Sequence, residues 1–207
     1  MSDEFPIERQ EGVNRVEAFS DGVLAIIVTI MVLELKVPHQ ESITALLELW
    51  PVFLAYVLSY AYVAIYWVNH HRLFGLARKV TGGLLWSNMA LLFTLSLIPF
   101  TTAYLGEHHF ERDAAVLYLA SLMLAALAYV VLQRQIKQTG ARDTAARHYH
   151  HATMRKGLAA AVVYFAGIPL SFVSAWLGVG CAALVAVFWM LPWSPLDALF
   201  ADRAARK

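Results

Sequence analysis

The sequence predicts an all-α membrane protein with six transmembrane helices, and three observations carry that prediction. The chain of 207 residues is 59% hydrophobic and only 15% charged, where a soluble domain carries about a quarter charged residues. Its apolar residues fall into six runs, each near the roughly 20 residues that a helix needs to cross a bilayer. Its basic residues gather in alternate connections, the pattern that orients membrane helices.

The runs lie near residues 17–36, 45–69, 83–104, 114–133, 157–176 and 178–198, and make 1–207 one six-helix transmembrane domain. The first, within "NRVEAFSDGVLAIIVTIMVLEL", has no charged residue between Asp21 and Glu34 and only one hydroxyl, Thr29. Proline interrupts the second at Pro51, the third at Pro99, the fifth at Pro169 and the sixth at Pro192. Neighbouring helices can satisfy the carbonyls that proline frees in a membrane. The sixth run carries Gly178, Ala182 and Ala186 at a spacing that favours close helix packing. The longest connection, "QRQIKQTGARDTAARHYHHATMRK", is too short for a soluble domain.

With the N-terminus in the cytoplasm, an even number of spans returns the C-terminus there. Fourteen of the 16 basic residues then lie inside, and only Lys36 and Arg112 lie outside. Both termini are therefore expected in the cytoplasm of a multi-pass cell-membrane protein. The start "MSDEFPIERQEG" is acidic and polar, unlike a secretory signal, so the first run is expected to be retained.

Composition also excludes functions. A net charge of +1 offers no basic face for nucleic acid. A single cysteine, Cys181, allows no disulfide within the chain. No metalloprotease, hydrolase-elbow or phosphate-loop motif is present and no span holds paired carboxylates, so neither catalytic residues nor an enzyme is expected. The histidines of "HYHH", His148, His150 and His151, lack the ordered ligand set of a structural zinc site and read as solvated interface residues, with no metal or cofactor. His108 and His109, beside Glu107 and Glu111, read as a plain outer loop, although histidines there could sense pH. Glu34 and Glu107 read as exposed helix ends or as collectors of cations at an outer mouth.

The first run divides its residues between two faces. Steps of three and four align Val23, Ile26, Ile30 and Leu33 in one aliphatic stripe, with Thr29 at its edge. Asp21 points about 140° away from Ile26, and Arg15 and Asp21 lie about 120° apart. The two threshold charges thus need partners from other segments, and "YWVNHHRLF" and "LLWSNMA" supply candidates at the same depth. Two readings stand on residue chemistry alone. Either the charges form a polar clasp on the next two spans, or Ser20 and Asp21 cap a helix while Arg15 anchors it. The stripe likewise reads as packing or as pore.

The pattern Arg15-x-x-x-Phe19-Ser20-Asp21 resembles the RxxxFSD signature of the transmembrane protein 175 family, the endosomal and lysosomal potassium channels and their prokaryotic relatives. "GVLAIIVTIMVLEL", "WVNHH" and "LLWSN" are similar to that family too. The resemblance implies a modestly potassium-selective channel without a TVGYG filter, with K+ as the permeant ion. One signature and six spans imply the single-repeat kind, a homotetramer in which four first spans line a central pore. By position, Ile26 would form the hydrophobic constriction, Ile30 and Leu33 would extend it, and Thr29 would bear on ion preference. Arg15, Phe19, Ser20 and Asp21 would join a packing network with His70 or His71, Trp86 and Asn88. A proton-permeable channel or a secondary cation transporter is the alternative.

Overall fold

The computed structural model describes residues 6–38, 42–139 and 144–191, with side chains placed over 11–38, 42–139 and 149–191. Among them every regular element is an α-helix. They are α1 (Pro6–Leu33), α2 (Ile43–Glu48), α3 (Trp50–Phe74), α4 (Gly82–Ser96), α5 (Ile98–Glu107), α6 (Arg112–Thr139), α7 (Thr144–Val173) and α8 (Ala175–Met190). Five stretches are long and apolar enough to cross a membrane: Glu11–Leu33, Trp50–Phe74, Gly82–Glu107, Arg112–Thr139 and Tyr149–Val173. The shorter apolar helix Ala175–Met190 comes after them.

Proline sets several boundaries. Pro51 occupies the first turn of α3, where its missing N–H costs nothing. The second run is therefore split: Ile43–Glu48 forms a separate short helix capped by Ser42, and the long helix is Trp50–Phe74 rather than 45–69. Pro99 in the first turn of α5 breaks the third run at Leu97, so one membrane-length stretch is two helices in series. Pro169 lies inside α7, which continues past it to Val173. Pro192 lies outside the described residues.

The long connection before the fifth run departs from its expectation. α6 runs on to Thr139 and α7 already begins at Thr144. Apolar content ends where charges begin, but helical backbone bonding does not, and Gln133 and Ile136 of the extension are fully buried. His150, expected in solvent, is also buried, while its neighbour His151 is exposed.

α6 is the inner helix. It packs against α4, α5, α7 and α8, and its Ala115, Tyr118, Leu119, Leu122, Ala125 and Leu132 are wholly buried. α7 and α8 meet over small residues. A Cβ at Gly178 would collide with the Ser171 side chain and lie 3.0 Å from the Gly167 carbonyl oxygen. Gly178, Ala182 and Ala186 are all buried, as the small-residue spacing anticipates.

Several hydroxyls inside this apolar core are paired across helices, as a medium without water favours. The Thr102 hydroxyl donates to Ser59 Oγ at 2.7 Å, and Ser59 Oγ lies 2.9 Å from the Tyr118 hydroxyl. The Tyr164 hydroxyl donates to that of Tyr62 at 3.1 Å, and Tyr62 donates to the Ala182 carbonyl. These bonds join α3 to α5, α6, α7 and α8. At one end, Phe110 sits at φ 60° in the tight turn between α5 and α6. Its ring is buried, 6.4 Å from the centroid of Trp50 and 4.8 Å from that of Trp176. Such packing can hold a non-glycine residue in the left-handed region.

Gly106 of α5 packs on the α3 backbone, where an added Cβ would lie 2.7 Å from Val52 Cα. Backbone cannot step aside, so Gly106→Ala is expected to cost about 1–3 kcal/mol, the usual range for overpacking. A thermal unfolding midpoint in detergent checks this. Gly180→Ala, with nothing within 4 Å of the new Cβ, should leave the midpoint unchanged or slightly raised.

Candidate functional site

α1 has two unlike faces. Val13, Ser20, Leu24, Ile27 and Met31, spaced by three, four or seven, are buried against the rest of the chain. The opposite side presents Phe19, Ile26, Ile30 and Leu33, which are 54%, 59%, 41% and 77% exposed. Val23, read with this stripe, is half-buried between the two faces. Thr29 lies on the exposed side and donates its hydroxyl proton to the Ile26 carbonyl at 2.8 Å, which leaves the oxygen lone pairs free.

The buried face is held near its N-terminal end by polar bonds to two helices. Ser20 is fully buried, donates to the Val16 carbonyl at 2.8 Å and accepts from Asn88 Nδ2 of α4 at 2.9 Å. Asn88 Oδ1 in turn lies 2.9 Å from His70 Nε2 of α3. An amide oxygen can only accept, so His70 carries its proton on Nε2. Its ring stacks on Phe74 with centroids 4.3 Å apart. One amide thus joins α1, α3 and α4.

A second pair of contacts lies nearer the surface. Trp67 Nε1 of α3 donates to Asp21 Oδ1 at 3.0 Å, and His71 Nδ1 lies 2.7 Å from Glu17 Oε1. Glu17 and Asp21 are one turn apart on α1, as are Trp67 and His71 on α3. The two helices meet as antiparallel rails with matched rungs, and the Trp67 and His71 rings stack at 6.2 Å.

Of the residues expected in a network, Ser20, Asp21, His70, His71 and Asn88 are thus brought together. His70 joins the buried chain and His71 the exposed pair. Phe19 and Trp86 stay outside in the single chain, Trp86 being 79% exposed. Each has a physical reason: Trp86 stands two residues from Asn88, about 200° around its helix, and Phe19 is about 100° from Ser20. Arg15 is exposed, and none of the bonds among the described residues reaches it. Glu17 was not anticipated, although its place one turn before Asp21 puts it on the same face.

The far end of α1 is tied as well. Lys36 pairs with Glu107 at the end of α5, at 2.9 Å. The hydrogen bond and charge of Glu107 hold the Lys36 ammonium above the ordinary lysine pKa, and Glu34 adds to this. Glu107 is therefore already matched by a cation on its own chain. With Glu34, Leu46 and Phe53, this pair lines a cavity of about 250 Å³.

The family described as "Endosomal/lysosomal potassium channel TMEM175" matches residues 15–99, from the threshold of α1 to the break before α5. A potassium channel of Chryseobacterium sp. (strain P1-3) is 43% identical over 178 residues, covering 86% of this chain and 92% of its own. The chain belongs to the TMEM175 family. A crystal structure described as that of a lysosomal potassium-selective channel TMEM175 homolog from Chamaesiphon minutus is similar at a TM-score of 0.76 and 34% identity. It covers 86% of this chain and 96% of that one. The human endosomal/lysosomal proton channel TMEM175 is 34% identical over 147 residues, and the match spans 28% of its length.

Asn88→Ala strips the buried chain of both bonds, leaving the His70 N–H without its acceptor and Ser20 with only its bond to Val16. It is expected to cost about 1–3 kcal/mol in stability, as buried unsatisfied groups do. Trp67→Phe removes one exposed bond and should cost less than about 1 kcal/mol. Thermal unfolding of the two variants side by side in detergent measures the difference.

Proposed function

We propose that the chain is a subunit of a potassium channel whose pore is lined by α1. The exposed stripe of Ile26, Ile30 and Leu33 carries this reading. A helix that buries one face completely and leaves large aliphatic side chains on the other is suited to meeting copies of itself on a shared axis. The channel names of its relatives in this family support the same reading.

In this reading four copies assemble in the cell membrane with both termini in the cytoplasm. The outward stripes face one another, and Ile26 forms the narrow ring. Aliphatic side chains offer a cation no ligand, so a narrow ring closes the path by dewetting and a wider one passes a partly hydrated ion. Thr29, with its proton committed to the Ile26 carbonyl, turns oxygen lone pairs outward one turn further on. Selectivity for potassium then rests on dehydration at the neck and is modest. The bonds from Ser20 and Asp21 set the angle of α1, and hence the width of the ring. Conduction is passive and needs no cofactor.

Purified protein in liposomes is expected to pass potassium down its gradient faster than sodium, without a coupled ion. Ile26→Asn should raise cation flux several-fold by wetting the ring. Saturating, coupled flux would indicate a transporter instead. An unchanged Ile26→Asn flux would place the neck elsewhere, and the mass of the assembly in detergent tests the tetramer.

A further inference from the structure

A cavity of about 230 Å³ opens at the end of the bundle where Glu17 meets His71, away from the exposed stripe of α1. The last turn of α3, the first turns of α7 and the end of α8 enclose it. A single water needs only about 10–15 Å³ by the same measure, so a group of many atoms fits. Arg72 and Lys156 stand on its wall with Asn69, Tyr149, Thr153 and Trp189, and no acidic side chain is among the described residues that line it.

The polar groups are unevenly committed. Asn69 Nδ2 already donates to the Ile65 carbonyl and Thr153 to the Tyr149 carbonyl, each at 2.8 Å. The Tyr149 hydroxyl is buried and has no hydrogen-bond partner among the described residues. Lys156 is almost buried, and its ammonium lies 5.1 Å and 5.6 Å from the ring centroids of Phe188 and Trp189. A near-buried cation and a guanidinium thus line one cavity, whose wall also carries the Tyr149 side chain.

We propose that this cavity binds a phosphate group. Arg72 offers a forked pair of N–H donors suited to two phosphate oxygens, and Lys156 a point charge. The same chemistry fits a phospholipid headgroup or free phosphate. The lipid source accords with Trp189, Ala152 and Leu191 on the wall, which offer a surface for the first carbons of an acyl chain. Basic pockets between membrane helices at the headgroup level have this make-up.

The test uses the full chain in a neutral detergent at constant ionic strength. Its unfolding midpoint is measured against dioctanoyl phosphatidylglycerol, dioctanoyl phosphatidylcholine and inorganic phosphate. Arg72→Gln removes the exposed fork, and Ala152→Phe fills the cavity while keeping every charge. A rise with the anionic lipid that exceeds the phosphatidylcholine rise supports a lipid site, provided both variants weaken its apparent affinity about tenfold or more. A rise with inorganic phosphate that both variants abolish supports the site with free phosphate as its source. Midpoints that respond to neither probe, or respond equally in wild type and Ala152→Phe, overturn the proposal.

Discussion

A polar side chain inside a bilayer has no water to fall back on, so it must find its partners on neighbouring helices, as the amide of Asn88 does. It gives its N–H to Ser20 and takes a bond at its oxygen from His70, and so ties α4 to α1 and α3 at one buried point. Helices in lipid lack the hydrophobic drive that packs them in water, and cohesion falls to close contact and to such bonds. The remaining architecture elaborates the same constraint. Where hydroxyls enter the core, as at Ser59, Tyr62, Tyr118 and Tyr164, they pair across helices. Where backbones approach, as at Gly106 and Gly178, the side chain is absent.

The division of labour within α1 stems from that anchorage. A helix so held on one side can leave its other side uncommitted without loss of position. α6 supplies the counterweight, with side chains buried along most of its length against five other helices. The chain thus reads as a fixed frame of α3 to α8 with α1 fastened to its edge by short polar bonds.

The helical class and five membrane-length stretches are legible from hydrophobic run length, because a bilayer demands a long apolar stretch, while the last apolar helix has only 16 residues. Three features resist that reading. Helix continuation past the apolar zone, as in α6 and α7, leaves no hydropathy mark. The split before Trp50 is written in Pro51, yet proline within an apolar run can as readily mark a tolerated kink. The choice between His70 and His71 depends on a rotation of about 100° about the axis of α3, which residue types alone do not determine. Of the RxxxFSD pattern, Ser20 and Asp21 join the hydrogen-bonded cluster while Phe19 and Arg15 stand outside it, and Glu17, at one of its unspecified positions, stands in it.

The interruption at Leu97 has a mechanical consequence. Asn88, which grips α1 near its beginning, belongs to α4, while Glu107, which grips the chain just beyond its end through Lys36, belongs to α5. The two fastenings therefore sit on opposite arms of a jointed beam, while α1 is one unbroken rod. Any flexure of the elbow changes the span between the fastenings. The rod must then lean, or the weaker, water-exposed rivet at Lys36 must let go.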